Sequence, residues 1–167
     1  MLFKVCDNGA LYNHIITYAL ERVGCPAIAL KTEQRDCIKH LYEGKDVFLW
    51  LPTGFGKSLC YEVLPFVLDD KLGRHGSVVI VISPLVSLMV DQVRSLRHRS
   101  VNAAIMSSGN VDRELMVTEE DFSRCSLLFC APEALDVSKW REAISKHDFS
   151  SRVVAVVVDE AHCVSKW

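Results

Sequence analysis

Two stretches of this chain combine residue types that could handle a phosphate. The first is LPTGFGKSLCYE, residues 51–62. Gly54 and Gly56 let the backbone turn tightly and aim N–H groups inward, forming a nest for phosphate oxygens. Thr53 and Phe55 complete that loop, and Pro52 stiffens its entry. A helix opening near Lys57 would add the positive end of its dipole. The Lys57 ammonium could then reach the β- and γ-phosphates of a nucleoside triphosphate, with the Ser58 hydroxyl on Mg2+. The strict pattern has glycine six positions before the lysine. Here that position is Leu51, so the string is the variant P-x-G-x-G-K-S.

The second stretch is VVVDEAHCVSKW, residues 156–167. A magnesium triphosphate needs a second anchor, ordinarily an aspartate at the end of a hydrophobic strand, and Asp159 fits that role. Glu160 beside it could orient or deprotonate an attacking water. Taken separately, the two stretches could be an ordinary glycine-rich turn and a solvated acidic turn. Together they supply much of the fixed charge that phosphoryl transfer requires.

Such residues must be positioned by strands and helices. Short β-branched runs at 46–51, 77–83, 102–106, 126–131 and 152–159 read as strands. They are apolar throughout rather than alternating, as in a parallel sheet covered on both faces. Helical patterns separate them at Lys57–Leu68 and at Leu85–Leu96, the latter with Leu85, Leu88, Met89, Val93 and Leu96 on one face. Leu11–Val23 and Glu33–Tyr42 read as two leading helices, the second stopped by Gly44. The expectation is an α/β fold: a mostly parallel, doubly wound sheet with helices on both faces, preceded by N-terminal helices. Ligands bind at the carboxyl ends of strands in such sheets, where both stretches fall.

The bulk composition agrees. A chain of 167 residues, half of them hydrophobic, is one domain's worth of core. Mean hydropathy is +0.18, which argues against disorder. No apolar run reaches the ~20 residues of a membrane helix, and the start has no signal-peptide pattern. The reading is a soluble, intracellular protein without a membrane partner. Its seven cysteines are odd in number and form no C-x-x-C pair, so they read as buried reduced thiols. With net charge −2 and pI near 6.3, whole-chain charge does not reveal a nucleic-acid partner.

The strings resemble the superfamily 2 helicases, and within them the RecQ family. LPTGFGKSLCYE is similar to their motif I and VVVDEAHCVSKW to their motif II. VVIVISPLVSLMVDQV resembles the RecQ motif Ia region, and LLFCAPEAL the segment where that family carries Pro-Glu. The resemblance covers roughly residues 29–167. It implies a RecA-like P-loop NTPase domain over 29–167, incomplete at its end, with residues 1–28 a helical lead-in. Upstream, ALKTEQRDCI resembles the motif that grips adenine, with Gln34 as its glutamine. Leu30 and Lys31 stand where the family has an aromatic residue and an arginine, which keeps charge but loses a stacking plane.

By the same resemblance the cofactors are ATP and Mg2+. The activity implied is 3'–5' unwinding of single-stranded or forked DNA, in repair or recombination, in the nucleus if the source is eukaryotic. His162 would couple the site to a partner domain. Ser83, Pro84, Ser107, Ser108 and Gly109 would contact DNA phosphates, and Trp167 would open an aromatic-rich DNA-sensing loop. The basic cluster Arg94, Arg97, His98 and Arg99 reads either as a DNA contact or as a helix end complementing its dipole. The second RecA-like domain, with its arginine finger, is expected to be missing. The chain alone would therefore bind Mg-ATP weakly, turn it over slowly and not unwind DNA. Two other readings stand beside this one: a non-catalytic ATP-binding fragment, or a different P-loop NTPase such as an RNA helicase or small kinase. SPLVSLMVDQ lacks the Pro-Thr-Arg-Glu-Leu and Gln-Pro-Arg strings usual in RNA helicases.

Overall fold

The computed structural model describes residues 8–109 and 111–161. His162 and Trp167, both singled out above, lie outside them.

Two helices lead: α1 (Asn8–Arg22) and α2 (Thr32–Tyr42). Gly44, at φ 83°, ends α2 where a residue with a Cβ would be strained. The expected helix from Lys57 to Leu68 is in fact two, α3 (Lys57–Glu62) and α4 (Leu64–Leu72). Pro65 explains the break, because it has no N–H to offer the Tyr61 carbonyl one turn back. Next come β1 (Val78–Ile82), α5 (Val86–His98), β2 (Ala103–Met106), α6 (Glu119–Arg124) and β3 (Leu127–Cys130). A 3-10 turn over Pro132–Asp136, α7 (Ser138–Ser145), α8 (His147–Ser150) and β4 (Val153–Val158) complete the order.

The four strands form one parallel sheet in the order β2-β3-β1-β4. Val78–Val81, all of β2 and all of β3 are buried residue after residue, so both faces of those strands are covered. The core joins them to Ile15 and Ala19 of α1, Ile38 of α2, Leu64 and Val67 of α4, and Met89 and Val93 of α5. The amino end of the sheet is pinned by polar contacts. Asp69 accepts from the Gly76 and Ser77 N–H groups at 3.1 and 2.9 Å. Arg152 donates to the carbonyls of Gly76, Phe122 and Cys125 at 2.6–3.0 Å.

One expected strand is not there. Residues 46–51 form neither helix nor strand and pair with no strand among the described residues. Val47 and Leu49 still pack against the core, while Phe48 and Trp50 stand 79% and 85% exposed. The side chains alternate as in a strand, but no neighbouring strand satisfies the backbone. Among the described residues no helix is long and apolar enough to cross a membrane. The described cysteines are all free thiols, and four of them, Cys37, Cys60, Cys125 and Cys130, are buried.

Candidate nucleotide site

The phosphate loop leaves residues 46–51 at Leu51 and turns into α3. Gly54 and Gly56 both take positive φ, 79° and 88°, where only glycine is at ease. They differ in surroundings. A Cβ on Gly54 would meet nothing within 4 Å, whereas one on Gly56 would lie 2.8 Å from Gln34 Nε2. Gly54 leaves open space beside the loop, and Gly56 permits contact with α2. α3 begins directly after Gly56, so its first N–H groups have no intrahelical acceptor.

Gln34 is buried at 4% exposure and fully engaged. Its Nε2 donates to the Gly56 and Phe55 carbonyls at 2.8 and 3.3 Å, and its Oε1 accepts from the Lys31 N–H at 2.9 Å. Lys31 Nζ sits 3.8 Å from the centre of the Phe55 ring and donates to the Phe55 carbonyl. The start of α2 thus holds the loop through both faces of Phe55: its ring and its carbonyl. Lys57 Nζ turns back onto the Leu51 and Pro52 carbonyls at 2.9 and 3.2 Å. These neutral acceptors hold the ammonium in place, and an arriving phosphate could supply it with an anionic partner.

Asp159 follows β4, and its N–H donates to the Ile82 carbonyl, extending the ladder to β1 by one bond. Burial pushes its carboxyl above the usual carboxylate range. The Glu160 N–H, Lys57 and Gln92 favour the ionised form, and the Glu160 charge opposes it. Glu160 takes φ 52°, a left-handed turn in which its N–H bonds Asp159 Oδ1 at 3.0 Å.

Two contributors lie inside the quoted strings, Tyr61 in LPTGFGKSLCYE and Gln92 in VVIVISPLVSLMVDQV, but had no role assigned from sequence. Gln92 on α5 places Nε2 3.4 Å from Ser58 Oγ and also faces Asp159. Tyr61 on α3 is buried with its ring edge-on to Phe129, and its hydroxyl faces Ser58 and Gln92. The Tyr61 hydroxyl and Gln92 Oε1 are buried without a hydrogen-bond partner. In retrospect Gln92 had a trace in sequence, being a polar residue inside the apolar stripe of α5 between Met89 and Leu96.

The donor set suits Mg2+. Among the described residues no three His, Cys, Asp or Glu side chains gather into a cage. A hydroxyl and a carboxylate, with two further oxygens buried beside them, leave the other positions to phosphate and water, as this cation prefers. Ser58 and Asp159 would hold it.

The residues expected to face DNA divide. Ser83 is fully buried; its N–H donates to the Cys130 carbonyl at 3.0 Å, and its hydroxyl is buried without a hydrogen-bond partner. Ser107 is buried too, its hydroxyl accepting from Gly109 N–H at 3.0 Å. Pro84 is half-buried, and Ser108 and Gly109 are exposed. The basic cluster is spent on the fold. Arg99 pairs with Glu62 at 3.0 Å, Arg97 donates to the Ala103 and Glu114 carbonyls, and Arg94 pairs with Asp112. A groove of about 660 Å3, lined by Phe122, Trp140, Phe149 and Arg152 among others, lies at the opposite end of the sheet. None of the nucleotide-site residues lines it.

Comparison with known proteins fits this geometry. The family model described as DEAD/DEAH box helicase matches residues 31–167. The ATP-dependent helicase SGS1 of Saccharomyces cerevisiae is 39% identical over 140 residues, 82% of this chain and 10% of that protein. The probable ATP-dependent DNA helicase RecS of Bacillus subtilis is 36% identical, over 83% of this chain and 26% of its own. The RecQ-like DNA helicase BLM of Xenopus laevis is 36% identical, over 82% of this chain and 10% of its own. The chain thus spans between 10% and 26% of these relatives' lengths. With its homologues of the RecQ kind, and with the family model matched from Lys31 to its last residue, the chain belongs to the DEAD/DEAH box helicase family.

Proposed function

We propose that this chain is the ATP-binding motor segment of a RecQ-type DNA helicase, in which ATP hydrolysis drives 3'–5' unwinding. The observation that supports the reading is the positive-φ turn at Gly54 and Gly56, opening α3 at Lys57 and Ser58, together with Asp159 at the end of β4. Lys57 and Ser58 supply a cation and a hydroxyl, and Asp159, about a hundred residues later, a carboxylate whose ionised form Lys57 favours. DNA as the substrate rests on the names of the relatives, which are DNA helicases. A place in DNA repair or recombination, nuclear in a eukaryote, belongs to the same reading.

Within it Lys57 binds the β- and γ-phosphates, and Glu160 orients the attacking water. Gln34 and Lys31 face the adenine end, Gln34 adding its grip on the loop carbonyls. Bound Mg2+ supplies charge neutralisation at the phosphates. Ser83, Pro84, Ser107 and Gly109 are candidates for the DNA side, Gly109 being the exposed one, with His162 as the coupling residue and Trp167 as the DNA sensor. An arginine finger from a second RecA-like domain is worth roughly 10³–10⁵ in rate where such fingers act on GTP. A polypeptide of these 167 residues alone is therefore expected to bind Mg-ATP weakly, to hydrolyse it slowly and not to unwind DNA.

Titration of the chain with a fluorescent ATP analogue tests this. Saturable, magnesium-dependent binding that Lys57→Ala abolishes is the expected result. Equal binding by Lys57→Ala would remove the nucleotide reading, and strand displacement above that control would remove the claim about the isolated chain.

A further inference from the structure

The motifs account for Lys57, Ser58 and Asp159, but not for what holds them together. Lys57 and Ser58 belong to α3, while Asp159 follows β4, about a hundred residues later in the chain. The element between them is α5. Its buried face is apolar at Met89, Val93 and Leu96, and Gln92 interrupts that face beside the site. A polar residue placed there costs free energy unless its amide is used.

The donor half is used. Nε2 lies 3.4 Å from Ser58 Oγ, and the same side chain favours the ionised form of the Asp159 carboxylate. The acceptor half is not, since Gln92 Oε1 is buried without a partner. The Tyr61 hydroxyl, on the same α3 helix as Ser58, is also buried and unpartnered. Four buried side-chain oxygens lack partners among the described residues, and two of them belong to the side chains around Ser58. Buried polar atoms are almost always satisfied, so such a pair beside a carboxylate marks where something polar is received. Mg2+ keeps several of its waters when protein-bound, and those waters need acceptors and donors in an outer shell.

We propose that Gln92 is a positioning residue of the metal end of this site, its N–H groups setting the Ser58 hydroxyl and the Asp159 carboxylate in register while its Oε1, with the Tyr61 hydroxyl, receives water carried by Mg-nucleotide. The inference rests on the nucleotide reading above. It adds that magnesium dependence, as distinct from phosphate affinity, is set by α5. Because α5 also carries Arg94 and Arg97 at its far end, a displacement of that helix would reach the metal ligands through a single side chain.

The test measures binding rather than turnover. The whole chain is titrated with a fluorescent ATP analogue in magnesium and in EDTA, for wild type, Gln92→Leu, Tyr61→Phe and Lys57→Ala. Gln92→Leu is expected to weaken binding about tenfold in magnesium, the lower bound for losing an outer-shell partner, and to leave binding in EDTA unchanged. Tyr61→Phe keeps the ring on Phe129, and its effect should have the same sign and be smaller. Lys57→Ala should lose binding in both solutions. If Gln92→Leu fails to fold, Gln92→Met keeps the length without the amide or a new charge, and it should weaken binding in magnesium alone. A ratio of magnesium to EDTA affinity that matches wild type in the folded Gln92 variant and in Tyr61→Phe overturns the proposal. Failure of wild type to bind in either solution would instead overturn the nucleotide reading itself.

Discussion

β1 and β4 lie side by side and are built from nearly the same residues, VVIVI and VVAVVV, yet they live in different surroundings. Four of the five β1 residues are buried, with β3 on one side and β4 on the other. β4 has a single partner among the described residues, none of its residues is fully buried, and Val156 is 60% exposed. An apolar run therefore announces a strand without announcing how many neighbours it has. The difference matters because β4 delivers Asp159. A strand held on one side only is anchored at its ends: Arg152 clamps its start, and the Asp159 N–H bonds Ile82 at its finish.

The sharpest way to expose that contrast is to put a charge on each strand. Val81→Asp places a carboxylate at a site with 0% exposure and should cost more than about 4 kcal/mol, enough to abolish cooperative unfolding by circular dichroism. Val156→Asp on the open side of β4 should cost no more than about 1 kcal/mol. Equal losses would break the comparison. Next in size is Arg152→Met, which orphans three carbonyl contacts where β4 begins, and should cost about 3 kcal/mol in a denaturant titration. Asp159→Asn acts at the other end. It removes a carboxylate that burial disfavours, so Tm should rise while magnesium-dependent nucleotide binding falls, the usual trade between stability and a working site. Smallest is Arg94→Ala, whose exposed ion pair with Asp112 should shift stability by less than about 0.5 kcal/mol.

The sequence was legible where local chemistry decides the outcome. Gly54 and Gly56 forecast the tight loop, the β-branched runs forecast β1 to β4 within a residue or two, and Asp159 falls at a strand end as its pattern required. Legibility failed where the outcome depends on partners distant in sequence. Residues 46–51 had the composition of a strand, but no described strand lies beside them to pair with. The burial of Ser83 and Ser107 could not be read locally either, because it follows from how β1, β3 and β2 pack in the sheet. Gln92 escaped notice for a related reason. One glutamine in an amphipathic helix means little until the fold shows which two side chains it stands between. The short helices α6, α7 and α8 carried patterns too brief to separate from loops.

Trp50 gives residues 46–51 an experimental use. It is 85% exposed and immediately precedes Leu51, whose carbonyl holds the Lys57 ammonium. When Lys57 swings away to a phosphate, the backbone next to that indole loses a bond, and its emission should report the event. The chain has three tryptophans, so replacing Trp140 and Trp167 by phenylalanine would leave one intrinsic fluorophore two peptide planes from the loop. Loading of the site could then be followed in stopped flow with unlabelled nucleotide, the signal supplied by an indole that stands in water.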